Sequence, residues 1–561
     1  MPILECIPNF SEGRDQATLD SIAAAIRAVP GVHLLDIDPG ATTHRTVMTF
    51  AGDPAAVVEA AFQAIARAAE HIDMRRHKGT HPRMGATDVC PLVPIEGIDD
   101  EEAIAYAHAL ARRVGEELDI PVYLYEKAAT RPERKNLATI RAGEYEGFAE
   151  KILLPEWKPD YGPQRFNARA GQTVIGVRDF LVAYNINLNT RSVRRANSVA
   201  FDIREKGRVQ TEDGTPWGRK VLDAEGRPVR EPGRCKAVKA IGWYVPEYGR
   251  AQVSANLTDL RQSPVHEVFE AACESARSRG LRVTGSELVG LIPKQSLLDA
   301  AYYYLRRQGV SQGMSEAELI QVAVQSLGLD DLRPFDPQQK VIEYQLEAAM
   351  SRPLAQMPLR DFADLLASDA PAPGGGSVAA LLGSLGAALG TMVANLSGNK
   401  RGWDARTAEF DPWARQGQAL KDALMRLVDD DTAAFQAVME AYRLPKGSEG
   451  EKELRKNAIE AANLRAAEVP LQVMRVSAQC YPLLREMAAQ GNPNSLSDVG
   501  VGALCVHAAV CGAHLNVQIN LRGIGDPQRR AALAGEAGQI EQASNQEHTA
   551  ILAAVRNRMQ A

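Results

Sequence analysis

The 561-residue sequence predicts a multidomain protein in which two α+β units, each a split βαβ, precede an all-α helical bundle. Three observations carry this reading. The chain is too long for one core, since a domain takes roughly 100 to 200 residues. Up to about residue 310 the apolar pattern switches repeatedly between the strand period and the helix period, twice in the same order. Beyond residue 358 the strand signals are gone, and Pro and Gly punctuate long helical runs.

The elements follow in order. Residues 3–7 read as a strand, 15–28 as a helix, 32–38 and 45–51 as strands, 54–70 as a helix and 88–95 as an apolar strand. Helix 101–118 and strand 121–125 come after this β-α-β-β-α-β unit. The order returns in strand 180–186, helix 192–206, strands 237–244 and 251–257, helix 265–280 and strand 282–291. Each ferredoxin-like unit forms a sheet with helices mainly on one face, leaving the other face, or a cleft between sheets, for a ligand. Residues 209–235, rich in Gly, Pro and charge, read as a hairpin or loop excursion. Helices 297–307 and 315–327 follow, then a connector at 333–357. The bundle comprises helices 359–368, 377–396 and 411–443, a long run through Glu453 that breaks near Pro470, and helices 497–520 and 527–559.

Hydrophobic residues make up 45% and charged residues 24% of the chain, and a net charge of −6 over this length argues against general nucleic-acid binding. Seven cysteines without a CxxC indicate neither a disulfide framework nor a zinc ribbon, so a cytoplasmic protein is expected. The opening MPILECIPNFSEGRD lacks the features of a secretory signal and reads as mature protein. Runs 378–396 and 499–519 approach the roughly 20 apolar residues of a bilayer span. Both are rich in Ala, Gly and Ser, and the second carries His507, His514 and Asn516, with Asn520 just beyond it. Such polar groups fit a bundle centre or a subunit interface better than lipid, so no membrane span is expected.

Chemistry is expected at residues 75–91, RRHKGTHPRMGATDVCP. Gly79 and Pro82 oppose a helix, so His77 and His81 are held by turn geometry, not stacked on one helical face as in a helical zinc site. Arg75, Arg76, Lys78 and Arg83 would draw an anionic substrate toward a histidine able to carry a proton. A lone loop histidine is more often structural than catalytic. The crowding of cations beside an apolar strand raises His81 above that background.

Eight stretches then match a known family: ECIPNFSEGRD at 5–15, HKGTHPRMGATDVCP at 77–91, PVYLYE at 121–126, IRAGEYEG at 140–147, VTGSELVGLIP at 283–293, APGGGSVAA at 372–380, LVDDDTAAF at 427–435 and NVQINL at 516–521. By these the chain resembles the formimidoyltransferase-cyclodeaminases, bifunctional folate enzymes of histidine degradation. The resemblance implies a transferase N-terminal subdomain at 1–178, its C-terminal subdomain at 179–307, a linker at 308–357 and a cyclodeaminase helical domain at 358–561. The first part would move a formimino group from N-formimidoyl-L-glutamate to N5 of tetrahydrofolate. The second would cyclise the product to 5,10-methenyltetrahydrofolate and expel ammonia.

The resemblance places His81 on the family's catalytic histidine, where it would shuttle a proton to the departing glutamate nitrogen. Asp38 is expected to orient that imidazole or contact the pterin, with a plain turn-starting role before Pro39 and Gly40 equally open. Arg45, Lys78 and Arg83 are assigned to the anionic substrates. The family's folate segment aligns with Gly162, Pro163, Gln164, Arg165, Phe166, Asn167, Ala168, Arg169, Ala170 and Gly171. Its end differs from animal relatives, which carry an aromatic residue there, and the 209–235 excursion is longer than theirs.

In the helical half Asp431 falls on the family's proposed catalytic aspartate. Successive carboxylates Asp429, Asp430 and Asp431 stand about 100° apart around a helix, so only part of the run can face a pocket. Like-charge crowding would raise one of them toward the acid-base range, whereas a solvated acidic patch is the plain alternative. Gly374, Gly375, Gly376 and Ser377 precede a helix whose free N–H groups favour an anion such as a folate glutamate tail. Asn516 and Asn520, one turn apart, bind substrate or hydrogen-bond across helices. Tetrahydrofolate, including polyglutamylated forms, is the expected co-substrate; no metal is expected, and the family implies a ring-like homo-oligomer. The rivals are a metal-dependent amidohydrolase built on His77 and His81, a helical half that is only a scaffold or membrane anchor, and a chain retaining one activity.

Overall fold

A computed structural model of the chain describes residues 2–41, 43–79, 82–213, 218–349 and 354–560. Strands β1 (Ile3–Cys6) and β2 (Asn9–Phe10) precede α1 (Gln16–Arg27), β3 (Val32–Gly40), β4 (Arg45–Gly52), α2 (Pro54–His71), β5 (Thr87–Glu96), α3 (Asp100–Glu117) and β6 (Val122–Glu126). Short helices α4 (Leu137–Arg141) and α5 (Glu144–Lys151) lead to β7 (Thr173–Val177). Each long helix starts where a side chain satisfies its first N–H groups. Asp15 accepts from Ala17, Asp53 accepts from Ala55 and Ala56 ahead of Pro54, and Asp99 forms a capping box with Glu102.

In the sheet β1 and β2 lie between β4 and β5, β3 flanks β4, and β7 and β6 extend beyond β5 in parallel. Alternation sends Leu4, Cys6, Phe10, Met48, Phe50 and Leu92 into the core beneath α1, α2 and α3. The opposite face carries Asn9 and Val47 on the strands and is the face available to a ligand. The sequence reading runs 3–7 as one strand and overlooks β2 and β7, because one has two residues and the other is a short buried run interrupted by Gly176.

The second half of this unit holds β8 (Val182–Leu188), α6 (Val193–Ile203), β9 (Arg208–Val209), β10 (Arg230–Glu231), β11 (Val238–Val245), β12 (Arg250–Leu257), α7 (Val265–Arg277) and β13 (Val283–Val289). Its four-stranded sheet runs β11-β12-β8-β13, antiparallel throughout, and β9 pairs with β10 in the excursion. Helices α8 (Lys294–Gln308), α9 (Glu316–Leu327), α10 (Pro337–Lys340) and α11 (Ile342–Ala349) follow. Residues 1–300 and 324–350 form one compact unit, and 301–323 with 351–561 form another. The stretch expected as a linker, 308–357, is therefore divided between the two. Ile342 and Leu346 of α11 are buried in a cluster with Ala51, each burial being worth roughly 1.5–3 kcal/mol, which holds this segment as packed helix.

The second unit is helical: α12 (Leu359–Leu366), α13 (Gly375–Gly398), α14 (Thr407–Arg443), α15 (Glu449–Ala478), α16 (Cys480–Gln490), α17 (Leu496–Asn520) and α18 (Pro527–Gln560). Helix α13 and the segment containing α17 have the length and apolarity of a bilayer span, yet α13 is largely buried within the bundle. They approach so closely that a Cβ on Gly386 would meet Val506 at 2.6 Å and the Gly502 carbonyl at 2.9 Å. Pro470 does not break its helix. It sits within α15, and the carbonyl it orphans four residues earlier, that of Ala466, accepts from the Asn520 amide at 2.6 Å.

Candidate functional site

The loop after α2 is built around two stacked imidazoles, His44 and His77, with ring centroids 4.3 Å apart. His77 is buried; its Nε2 donates to the His44 carbonyl at 2.8 Å and its Nδ1 accepts from Arg83 Nε at 3.1 Å. Burial holds its pKa below the ordinary histidine value, so it is a neutral strut. His44 reaches the Lys78 carbonyl through Nδ1 and Glu12 through Nε2, at 3.0 and 2.9 Å. Burial alone would raise the Glu12 carboxyl; backbone N–H groups of residues 13–15 and the His44 charge outweigh it and lower its pKa.

Arg83 is buried and tied to Glu144 and Glu146 at 2.7–3.2 Å, which makes it a brace of the loop. Lys78 is exposed. A Cβ on Gly79 would fall 2.3 Å from the Thr43 carbonyl, so this loop lies flush against the β3–β4 turn. His81 and Thr80 lie outside the described residues.

Beside this loop, on the open face of the first sheet, lies a cavity of about 570 Å³, within the usual range of small-molecule sites. Among the described residues its wall carries five cations, Arg45, Lys127, Arg141, Arg178 and Lys239, against Glu126 and Asp179. Lys239 of β11 and Thr258, the residue after β12, line it too, so both halves of the unit contribute. Burial raises the Glu126 carboxyl, against the pull of Lys239 and Arg178. Another cavity of similar volume is lined by Asp99, Asp100, Glu101, Asp179 and Asp259 against Arg261, which disfavours an anion. The cationic cavity is therefore the better receptor for carboxylates.

Of the residues expected for substrate, Arg45 lines this cavity. Asp38 lies within β3, two residues before its end, directly opposite Val47, a cavity residue, and so on the same face. The segment 162–171 touches the motif loop, with Met74 donating to the Arg169 carbonyl and Ala86 to that of Ala170 at 2.9 and 2.8 Å. Gly85 and Gly171 cross so tightly that a Cβ on either would meet the other strand's carbonyls at 2.2 Å. None of residues 162–171 lines the cavity. Arg165 pairs with Asp119, Asn167 Nδ2 donates to the Asp119 carbonyl, Arg169 reaches the Ala69 and Glu70 carbonyls, Gln164 reaches that of Ile152, Tyr145 donates to the Ala168 carbonyl and the Phe166 ring packs at a tilt against Tyr145. Gly162 packs against Gly115 of α3, followed by Pro163. Asn9, Arg141, Arg178 and Lys239 were missed. Arg141 stands in the matched stretch IRAGEYEG, which was the available signal.

In the helical unit the start of α13 meets α14. Ser377 Oγ donates to Asp431 Oδ2 at 3.1 Å, and a Cβ on Gly376 would lie 2.1 Å from Asp431 Oδ1. Burial raises the Asp431 carboxyl above the ordinary range against the hydrogen bonds from Ser377. Gly375 approaches the Asn516 amide, and Gly374 precedes the helix in extended backbone. Asp429 instead caps the N–H groups of Leu354 and Ala355 at 2.9 and 3.0 Å, and Asn520 bonds to Ala466, away from the α13 start. Among the described residues no group of three His, Cys, Asp or Glu is placed to hold a metal.

Residues 3–178 match the family model described as formiminotransferase domain, N-terminal subdomain; 183–347 match formiminotransferase domain; 358–539 match formiminotransferase-cyclodeaminase. A formimidoyltransferase-cyclodeaminase of Mus musculus is 42% identical over 93% of each chain. The chain belongs to the formimidoyltransferase-cyclodeaminase family. Shorter relatives match part of the chain. A glutamate formimidoyltransferase of Streptococcus pyogenes is 43% identical over 54% of this chain and 93% of its own. A methenyltetrahydrofolate cyclohydrolase of Methylorubrum extorquens is 40% identical over 30% of this chain and 81% of its own.

Proposed function

We propose that the first unit moves the formimino group of N-formimidoyl-L-glutamate to N5 of tetrahydrofolate, and that the helical unit closes the product to 5,10-methenyltetrahydrofolate with release of ammonia. Full-length kinship to an enzyme named for both steps carries this reading. The two sites fit it. In the first, N5 attacks the amidine carbon and the tetrahedral adduct collapses when the glutamate nitrogen receives a proton. His81, two residues after the wedged Gly79, is the residue assigned to that transfer. The cationic wall receives the carboxylates of the glutamate units, and Asp38 lies on the same face of the sheet. In the second, N10 attacks the same carbon, and Asp431, a buried carboxyl of raised pKa, takes and delivers the proton that lets ammonia leave. The N–H groups opening α13 favour a folate carboxylate, including those of polyglutamylated tails.

The amidohydrolase rival loses its first ligand, because both ring nitrogens of His77 are already bonded. The membrane-anchor rival is opposed by the packing of α13 inside the bundle. The strand order β11-β12-β8-β13, and the matching order β3-β4-β1-β5 in the first sheet, support a repeated split βαβ with boundaries at 1–178 and 179–307 ahead of the cyclodeaminase domain. Exposed Leu385, Met392 and Leu396 on α13 and Val501, Leu504, Leu515 and Ile519 on α17 form an apolar surface suited to another copy of the chain in a homo-oligomer. Seven free cysteines suit a reducing cytoplasm.

The test uses the purified full chain with N-formimidoyl-L-glutamate and tetrahydrofolate, following methenyl absorbance and ammonia. His81→Ala abolishes transfer yet still cyclises supplied 5-formimidoyltetrahydrofolate, and Asp431→Ala does the reverse. Loss of both activities in both variants would refute the division of labour.

A further inference from the structure

We propose that Glu126 is a specificity-determining residue of the transferase cavity, its carboxylate accepting two parallel N–H groups from an amidine-type N–C–N edge of a substrate. This rests on the transferase reading above and adds the acceptor that such an edge requires. Both substrates carry one. The donor has its formimidoyl group, cationic at neutral pH, and the pterin has N3–H beside its 2-amino group.

Glu126 closes β6 and lines the cavity of about 570 Å³. Its backbone is left-handed, with φ +53°, a conformation that residues other than glycine rarely adopt. The chain is fixed there from both sides. The β6–β7 ladder sets Glu126 opposite Val177, whose carbonyl accepts from the Lys127 N–H at 3.0 Å. In the turn that follows, the N–H groups of Ala128 and Ala129 donate to the carbonyls of Tyr125 and Glu126 at 3.2 and 3.1 Å. An outlier held in this way at a cavity wall points to a task for its side chain.

The other polar groups of the wall are engaged with the protein. Asp179 accepts from Lys127 Nζ at 2.8 Å and from Arg261, and the side-chain oxygens of Asn9 and Asn136 accept from Arg45 and from the Ala138 N–H. Arg141 donates to Asp88, which lies 3.9 Å from Arg45 Nη1, and Arg178 donates to the Asp179 carbonyl. Among the described residues the Glu126 carboxylate makes no hydrogen bond; Lys239, Arg178 and Lys127 act on it as nearby charges. A cationic wall repels an amidinium unless a carboxylate stands opposite it, and Glu126 supplies that charge. Two carboxylate oxygens match two parallel N–H donors in direction as well as charge. On the donor this pair holds the cationic carbon that N5 attacks; on the acceptor it fixes the far edge of the pterin and so the direction of N5.

The test separates the two sources of the edge. KM for each substrate and kcat of transfer are measured on the full chain for the wild type, Glu126→Gln and Glu126→Asp. Two probes lack one N–H of the edge. N-formyl-L-glutamate, with an oxygen in place of the donor's terminal nitrogen, serves as competitor, and 2-desamino-tetrahydrofolate serves as acceptor. Glu126→Gln is expected to raise one KM roughly 30-fold with a smaller change in kcat, and Glu126→Asp, which keeps the charge and shortens the reach, to raise it less. The wild type should prefer that same substrate over its probe, and Glu126→Gln, whose amide donates as well as accepts, should lose most of the preference. A rise confined to the donor assigns the edge to the formimidoyl group; one confined to tetrahydrofolate assigns it to the pterin. The proposal is overturned if both KM values stay unchanged, or if the preference survives the substitution in full. Should Glu126→Gln not fold, Glu126→Asp decides alone by the same readings. A wild-type chain that transfers nothing would sink the transferase reading instead.

Discussion

Replacing Gly376 by alanine places a methyl group where the Asp431 carboxylate now lies. The added Cβ would stand 2.1 Å from Oδ1, 2.5 Å from Cγ and 2.6 Å from Oδ2 of that residue, closer than real Cβ contacts come. Relief requires the carboxylate to withdraw by about 1 Å, since the start of α13 is packed and cannot yield as readily. A displacement of that size at a reacting group costs on the order of 100-fold in rate, and the overpacking itself costs about 1–3 kcal/mol of stability. The expected result is a cyclodeaminase rate down by about two orders of magnitude with transfer unchanged, read as ammonia released from supplied 5-formimidoyltetrahydrofolate. The hydrogen bond between Ser377 and Asp431 is strained by the same methyl, so Ser377→Ala alone should lower the rate less. A Gly376→Ala protein that is folded and cyclises at the wild-type rate would refute the assignment of Asp431 to the chemistry.

Three other outcomes follow from buried polar groups. Asn520→Ala leaves the Ala466 carbonyl opposite Pro470 without its donor and should cost about 1–2 kcal/mol in urea unfolding, with cyclodeaminase kcat intact. Arg83→Met removes the braces to Glu144, Glu146 and His77; because the glutamates are exposed, a loss of only about 1–3 kcal/mol is expected, together with at least a tenfold fall in transfer and unchanged cyclisation. Glu5 is fully buried, neither of its oxygens has a hydrogen-bond partner among the described residues, and burial pushes its pKa up to about 8, against the pull of Arg178. A raised carboxyl gives stability that is complete below its unfolded value near 4.5 and is lost as pH climbs toward 8, at most about 5 kcal/mol. Glu5→Gln should therefore match the wild type at pH 5 and exceed it by about 2–4 kcal/mol at pH 8 in chemical denaturation, and equal stability at both pH values would contradict the burial argument.

Much of the fold was legible because it is written in local patterns. Strands 32–38, 45–51 and 251–257 and helices 54–70, 411–443 and 527–559 agree with the observed elements within a few residues, since alternation or helical spacing persists over several turns or pleats in each. What escaped depends on distant partners. Strand β2 has two residues and exists because Asn9 and Phe10 find both β4 and β5. Pro470 looked like a helix end because its missing hydrogen bond is visible in sequence, whereas the amide 50 residues later that replaces it is not.

The arginines show why sites are harder to read than folds. Arg83 and Arg141 both stand in stretches shared with the family, and from the chain alone Arg83, beside His81, is the natural substrate ligand. Folding gives the two arginines different surroundings. Two glutamates 61 and 63 residues away reach Arg83 and bind it from two sides, leaving a braced loop. Arg141, beyond the motif and followed by a glycine-containing turn, is carried by a five-residue helix to the same carboxylate that faces Arg45. A guanidinium serves as strut or receptor according to how many carboxylates meet it, and that number is a property of tertiary structure. Which arginine braces a loop and which lines a cavity is therefore set by partners distant in the sequence.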